Sequence, residues 1–183
     1  MEFQSTAIPG PCVIRPRVLG DSRGFFMECF REKAFSEHGI RDRFVQDNCS
    51  FSRGGVVRGL HYQRHQPQAK LITVMQGRVL DVIVDIRKNS ETFGQHVTIE
   101  LSDRNKEILY VPIGFAHGFA VLSESALFHY KCSDYYCPDG ERGIRWDDPD
   151  LGIEWGIDRP TISERDAGLP RLKDVAVEDL FGI

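Results

Sequence analysis

Histidine is the residue type in this sequence best suited to moving protons near neutral pH, because an unperturbed imidazole has a pKa of about 6.5. Two of the six histidines lie among glycines and apolar residues that could hold an imidazole against a ligand: His61 in RGLHYQ and His117 in PIGFAHGF. Taken singly, each is equally well interpreted as a core histidine bonded to backbone. Lys70 and Tyr130 are the other candidates, since a lysine can stabilise a developing oxyanion and a tyrosine can donate a proton. Together these types favour acid–base chemistry.

Short β-rich segments carry most of these groups. They cover residues 71–76, 78–86, 96–101, 107–112 and 125–132, and Gly, Ser, Asn or Asp separate them. Their close spacing without intervening helices predicts an antiparallel sandwich or closed barrel. One helix is predicted near residues 31–38, with Gly39 as its left-handed cap, and a short one over 177–181. The Gly- and Asp-rich segment after Pro138 is expected to pack through Trp146 and Trp155.

Strand alternation predicts where two candidates point. Lys70 should share a face with Ile72, and Tyr130 should share one with Phe128. In most sequences such a lysine would extend to solvent and such a tyrosine would be a packing residue. The combination of histidine, lysine and tyrosine is what favours a catalytic interpretation.

The spacing also resembles that of the cupins, small jelly-roll barrels that hold a metal through two motifs. The first motif's positions carry Gln63, His65, Lys70 and Gly77, and the second matches Pro112-Ile-Gly114-Phe-Ala-His117. A glutamine in place of a histidine and a lysine in place of the glutamate remove ligands that a metal would need. The resemblance implies an all-β, cupin-type jelly-roll β-barrel with a few short peripheral helices, forming one domain over residues 1–183, and no metal site.

Composition limits the function classes. A net charge of -4 with no dense Lys/Arg run argues against a nucleic-acid partner. No stretch approaches the ~18 apolar residues of a membrane span. The five cysteines form no CxxC pair and the first residues do not read as a secretory signal, so we expect a soluble, cytoplasmic protein with reduced thiols.

Longer blocks carry a closer resemblance, from about Asp21 to Arg171. They are DSRGFF, VQDN, GGVVRGLHYQ, KLITVMQGRVLDVIVDIR, VPIGFAHGFAVLS, YKCSDYY, ERGIRWDDPDLGIEW and SERD. In these blocks the chain resembles the dTDP-4-dehydrorhamnose 3,5-epimerases of dTDP-L-rhamnose biosynthesis. The resemblance implies that the substrate is dTDP-4-dehydro-6-deoxy-D-glucose, whose C4 ketone acidifies the protons on C3 and C5.

The resemblance also implies catalytic roles. His61 in RGLH matches the base, Asp166 in SERD matches the carboxylate that orients it, and Tyr130 matches the proton donor. Lys70 would stabilise the enolate oxygen. The ketone itself serves as the electron sink, so neither a metal nor an organic cofactor is expected.

Ligand contacts and a homodimer follow from the same comparison. Tyr136 matches the aromatic residue that stacks on thymine, and Arg165 stands where the family usually has lysine. Other matched substrate-binding positions are Arg23, Glu28, Gln46, Asp47, Asn48, Arg58, His117 and Glu141. In the implied homodimer, amino-terminal strands cross over, so that Arg23 and Glu28 complete the partner's site.

Three alternatives stay open at this stage. A mono-epimerase would invert only C3 or only C5 of a related nucleotide-linked keto sugar. A metal-dependent cupin oxygenase or isomerase would use His61, His65 and His117. A non-catalytic module would bind the sugar nucleotide and leave its protons in place.

Overall fold

Two antiparallel sheets of differing size make up the framework of the computed structural model, which describes residues 1–182. The larger sheet has six strands, in the spatial order β1 (Glu2–Ser5), β2 (Cys12–Arg15), β10 (Ile108–Val111), β7 (Lys70–Gln76), β12 (Ser125–Cys132) and β5 (Gln46–Arg53). The smaller sheet has five, in the order β13 (Glu141–Gly143), β6 (Val57–Gln63), β11 (Phe115–Val121), β8 (Arg78–Asp85) and β9 (His96–Ser102). Consecutive strands repeatedly change sheets, as a jelly roll requires.

The elements predicted from the sequence are confirmed with one change at the carboxy-terminal end. The five predicted strands correspond to β7, β8, β9, β10 and β12, and the predicted helix is α1 (Glu32–Glu37). Gly39 follows it with a φ of 86°, a left-handed conformation that glycine adopts without strain. The predicted closing helix over 177–181 is instead a single 3₁₀ turn, Val177–Asp179. It is too short to bury an apolar helical face.

Strand pairing within residues 1–182 leaves the two sheets as separate ladders, so the jelly roll is a two-sheet sandwich, without the hydrogen-bonded closure of a barrel. Apolar side chains from both sheets meet between them, and the ring of Phe128 stacks on that of Phe119 with 4.0 Å between centroids. Alternation places Ile72 and Val74 in this core, on the face of β7 that the sequence pattern predicted.

Two further apolar layers cover the outer faces of the sandwich. Phe35 of α1 packs over the larger sheet. The segment after Pro138 packs over the smaller sheet through Trp146 and Trp155, as predicted, and the Trp155 indole donates to the Trp146 carbonyl at 2.8 Å. This segment carries α2 (Glu164–Ala167), which lies beside β6. The covering layer therefore brings a helix from late in the chain to β6 of the smaller sheet.

A separate hairpin, β3 (Val18–Asp21) and β4 (Gly24–Met27), pairs only with itself among the described strands. Its two phenylalanines are unusually exposed, Phe25 at 59 % and Phe26 at 69 %. Exposed aromatic residues on a two-stranded ribbon are typical of a surface that another molecule covers. No helix in the described part of the chain is long and apolar enough to cross a membrane.

Candidate active site

His61 and Asp166 form a hydrogen-bonded pair at the edge of a cavity between the sheets. His61 lies on β6 and its Nε2 donates to Asp166 Oδ1 at 2.7 Å, while the other carboxylate oxygen accepts the backbone N–H of Gly59 at 3.2 Å. With its proton on Nε2, the imidazole keeps a lone pair on Nδ1. The pair therefore fixes the tautomer that a general base needs.

Local sequence explains why Asp166 is in place. Ser163 is the N-cap of α2, and its hydroxyl accepts the N–H of Asp166 at 3.1 Å. Burial alone would raise the pKa of Asp166, but the hydrogen bond and charge of His61, the Gly59 N–H and the charge of Arg165 together lower it. Asp166 is thus an anion beside His61 and would stabilise the imidazolium that forms when His61 accepts a proton.

A bulge in β6 directs His61. His61 pairs with His117 and Arg58 pairs with Phe119. Between these two pairs β6 has two residues and β11 has one, which is the pattern of a β-bulge. At this bulge Gly59 has a φ of 110°, and a Cβ there would lie 2.7 Å from the His117 carbonyl oxygen. Bulges often redirect side chains beside active sites. Here only glycine permits the close approach of the two strands.

Lys70 and Tyr130 line the opposite wall, from β7 and β12 of the larger sheet. They face the same cavity of about 180 Å³ as His61, together with Ser50, Arg58, His117, Gly118, Phe119 and Phe128. Lys70 Nζ lies 5.8 Å from the centre of the Tyr130 ring. Burial lowers the pKa of Lys70, against the opposing charges of Asp81 and Glu141, and burial also raises the pKa of Tyr130.

Asp81 is a site residue that the sequence analysis missed. It is fully buried on β8, and both carboxylate oxygens lie 2.9 Å from His117 Nε2. Burial raises the pKa of Asp81 and lowers that of His117, and the hydrogen bond and attraction between the two groups oppose both shifts. A carboxylate within the apolar strand RVLDVIVDI was the available signal, because a buried acid needs a partner.

A second group of predicted residues lies beside the cavity, where Asn48 bonds Tyr130 and the charge of Glu141 faces His61. Glu141 Oε2 accepts the Tyr136 hydroxyl at 2.6 Å and lies 2.7 Å from Arg165 Nη2. The side-chain oxygen of Gln46, Oε1, accepts the Tyr136 N–H at 2.9 Å, and its Nε2 donates to Asn48 Oδ1 at 3.1 Å. Tyr136, Glu141, Arg165, Gln46 and Asn48 therefore form one connected polar set.

Three predicted ligand contacts lie elsewhere. The Asp47 side chain lies on the outer face of the larger sheet, where its two oxygens each accept from Lys131 at 2.8 Å, so it does not line this cavity and its expected contact with substrate stays a prediction. Alternation along β5 turns it away from its neighbours Gln46 and Asn48. Arg23, at the hairpin tip, pairs with Asp21, and Glu28 pairs with Arg31. Neither reaches the cavity of its own chain.

The cupin-like metal positions are dispersed in this fold. Gln63 is buried against the loop around Tyr136, His65 is exposed, and of the original set only Lys70 and His117 line the cavity. Within residues 1–182, no group of three or more His, Cys, Asp or Glu side chains is placed to hold a metal ion. A lysine in this donor set would repel a divalent cation.

The fold and the cavity together define a jelly-roll enzyme equipped for acid–base isomerisation. The family model for dTDP-4-dehydrorhamnose 3,5-epimerase matches residues 5–174. The dTDP-4-dehydrorhamnose 3,5-epimerase of Pseudomonas aeruginosa is 51 % identical over 168 residues, which cover 91 % of this chain and 93 % of the relative. The chain belongs to the dTDP-4-dehydrorhamnose 3,5-epimerase family.

Solved structures agree on the fold and mark the range of activities. The Legionella pneumophila dTDP-6-deoxy-D-glucose-3,5-epimerase RmlC, in complex with dTDP-4-keto-L-rhamnose, superposes with a TM-score of 0.97 at 48 % identity, covering 100 % of this chain and 98 % of that one. ChmJ, a 3'-monoepimerase from Streptomyces bikiniensis, superposes with a TM-score of 0.87 at 33 % identity, covering 93 % of this chain and 87 % of that one. The higher similarity is to the double epimerase.

Proposed function

We propose that this protein converts dTDP-4-dehydro-6-deoxy-D-glucose to dTDP-4-dehydro-L-rhamnose by inverting C3 and C5. The single observation that supports this reaction is the division of groups between the sheets. His61 projects from the smaller sheet and Tyr130 from the larger, toward one cavity. Inversion needs a proton removed on one face of the sugar and returned on the other, and two opposed walls supply that arrangement.

His61 removes the proton from C3 or C5, and Asp166 stabilises the resulting imidazolium. The electrons of the broken C–H bond move toward the C4 oxygen and form an enolate, which the Lys70 ammonium stabilises. Tyr130 then donates its proton to the same carbon from the other face. The raised pKa of Tyr130 keeps the phenol protonated for this step.

The residues beside the cavity bind the nucleotide in this proposal. Arg58 reaches along the cavity wall, where its Nε donates to Ser52 at 3.0 Å, and with Arg165 it supplies planar donors for a diphosphate. Tyr136, which is 52 % exposed, offers its ring face to the thymine. Gln46, Asn48, His117 and Glu141 complete the contacts.

A second copy of the chain completes the site. The β3–β4 hairpin carries Arg23 away from its own cavity, with its side chain 88 % exposed, and presents Phe25 and Phe26 for packing. In the proposed homodimer, this hairpin lies over the partner's cavity and brings Arg23 and Glu28 to the partner's ligand. The five cysteines are all free thiols, which suits the reducing cytoplasm proposed as the location.

Deuterium exchange tests the proposal. When dTDP-4-dehydro-6-deoxyglucose is incubated with the enzyme in deuterium oxide, NMR should show label at both C3 and C5. Label at one carbon alone would identify a mono-epimerase, and the absence of enzyme-dependent exchange would refute epimerisation. A folded His61→Ala variant should lose exchange at both carbons, because one base serves both, and substantial remaining exchange would contradict its role.

A further inference from the structure

Gln63 occupies a metal-ligand position in the cupin pattern, yet its side chain holds a loop. The residue is only 6 % exposed, at the end of β6. Its Oε1 accepts the Cys137 N–H at 2.9 Å, and its Nε2 donates to the Tyr135 carbonyl at 2.9 Å and also to the Gln66 carbonyl. One amide thus bonds the backbone on both sides of Tyr136.

The choice of glutamine follows from these partners. The loop presents one N–H donor and one carbonyl acceptor, and a single side-chain amide offers both complementary groups. A carboxylate would accept from Cys137 and repel the Tyr135 carbonyl, and an aliphatic side chain would bond neither. Buried backbone groups left unpaired are costly, so the loop has a strong preference for this one geometry.

Tyr136 is hydrogen-bonded through its backbone N–H and its hydroxyl, and much of the residue between these groups is exposed. Its N–H donates to Gln46 and its hydroxyl to Glu141, while about half of the residue is open to solvent, 52 % exposed. A packing tyrosine would bury its ring and leave the hydroxyl as the part that seeks water. The opposite arrangement here is that of a fixed platform whose ring face is reserved for a ligand.

We infer that Gln63 is a positioning residue for nucleotide recognition, which fixes the Tyr135–Cys137 loop so that the Tyr136 ring meets the base of a nucleoside diphosphate. This inference rests on the proposed function for the placement of the base at Tyr136. Gln63 acts only through the loop and touches neither the base nor the sugar. Its loss should therefore weaken binding of the base and leave proton transfer at His61 and Tyr130 unchanged.

Calorimetric titrations with dTDP and with inorganic pyrophosphate, which lacks a base, separate the two effects. Gln63→Leu should raise the Kd for dTDP about three- to tenfold, part of the roughly tenfold or greater rise expected for Tyr136→Ala when base stacking is lost. The Kd for pyrophosphate should change less than about twofold. The rate of deuterium exchange at saturating sugar nucleotide should also stay within about twofold, so that KM rises and kcat does not.

A double-mutant cycle distinguishes positioning from general destabilisation. In a Tyr136→Ala background, Gln63→Leu should have almost no further effect on dTDP binding, because the ring that it positions is gone. Gln68 provides a matched control, since its amide donates to the Asp134 carbonyl at 2.8 Å, just outside the loop. Gln68→Leu should leave the Kd for dTDP within about twofold of the wild type.

Three results would contradict the positioning role of Gln63. Unchanged dTDP binding in Gln63→Leu, an equal loss for pyrophosphate, or a loss that persists without the Tyr136 ring overturns the positioning role. If Gln63→Leu does not fold, the isosteric Gln63→Glu, which keeps only the bond from Cys137, provides the same comparison. If the wild type exchanges both protons but Tyr136→Ala binds dTDP normally, this inference is refuted and the proposed function is not. Wild-type protein that neither exchanges protons nor binds dTDP refutes the proposed function as well.

Discussion

The bond between His61 and Asp166 gives the sharpest single test of the mechanism, through the substitution Asp166→Asn. Asp166 uses one oxygen for His61 Nε2 and the other for the Gly59 N–H. An asparagine of the same shape has only one acceptor. It must either turn its NH₂ toward Gly59, or turn it toward His61 and force the imidazole proton onto Nδ1, where the base is needed.

The magnitude follows from the burial of the pair. The Asp166 side chain is 6 % exposed, so solvent screens the interaction little. A hydrogen bond that involves a charged group contributes about 1.5–3 kcal/mol. If that contribution is realised when His61 becomes an imidazolium, its loss slows proton abstraction by roughly 10- to 160-fold at ~1.36 kcal/mol per tenfold. The inverted tautomer would add to this loss.

Proton NMR in deuterium oxide measures the result, as exchange rates at C3 and C5 under saturating substrate. Both rates should fall together, and dTDP binding should stay within about twofold of wild type. Ser163→Ala is the matched control. It removes the N-cap bond to the Asp166 N–H, should cost about 1 kcal/mol in the free energy of unfolding, and keeps the carboxylate. Exchange by Asp166→Asn at more than half the wild-type rate would refute the orienting role.

Three further experiments test other parts of the site. Burial lowers the pKa of Lys70, so the lysine loses its charge as pH rises through a value below the usual lysine range. The pH profile of kcat should therefore fall on the alkaline side at that value, and Lys70→Arg should move the fall to higher pH. A fall that does not move would belong to another group. Tyr130→Phe should slow reprotonation by at least about 100-fold while dTDP titrations stay normal, and weakened binding would contradict a role confined to proton donation. Phe26→Asp on the exposed hairpin should give a monomer in sedimentation, whereas Arg23→Ala should stay dimeric and bind dTDP more weakly. A dimeric Phe26→Asp variant would place the interface on another surface.

Much of the fold could be predicted because short β-rich segments are separated by Gly, Ser, Asn or Asp. Ile72 and Val74 enter the core as their spacing in the sequence predicts, and Gly39 ends the first helix. The closing helix was not readable. The segment VEDLF has a helical composition, but Leu180 and Phe181 are buried against the smaller sheet, and that packing wins over local propensity.

The site was predictable only as far as residue types and motif resemblance extend. Asp47 lies between Gln46 and Asn48 in sequence, but alternation along β5 sends it to the other face. The Asp81 pairing with His117 joins two neighbouring strands of the smaller sheet, and sequence alone does not give that register. Gln63 looked like a lost metal ligand because spacing cannot show which way a strand end faces. Long-range packing decided the placements of Asp81 and Gln63, whereas the orientation of Asp47 follows from local alternation.

The sandwich core also sets the distance between the two walls of the cavity. In the proposed mechanism the base His61 and the acid Tyr130 belong to different sheets, so the apolar side chains between the sheets would set the gap that the sugar ring must bridge. The stacked rings of Phe119 and Phe128 lie in this layer and also line the cavity. A change of one or two methylene groups there would widen or narrow the gap. Under that mechanism, stereochemical fidelity would depend partly on the hydrophobic interior, and we expect substitutions well outside the acid–base set to alter which carbon is inverted.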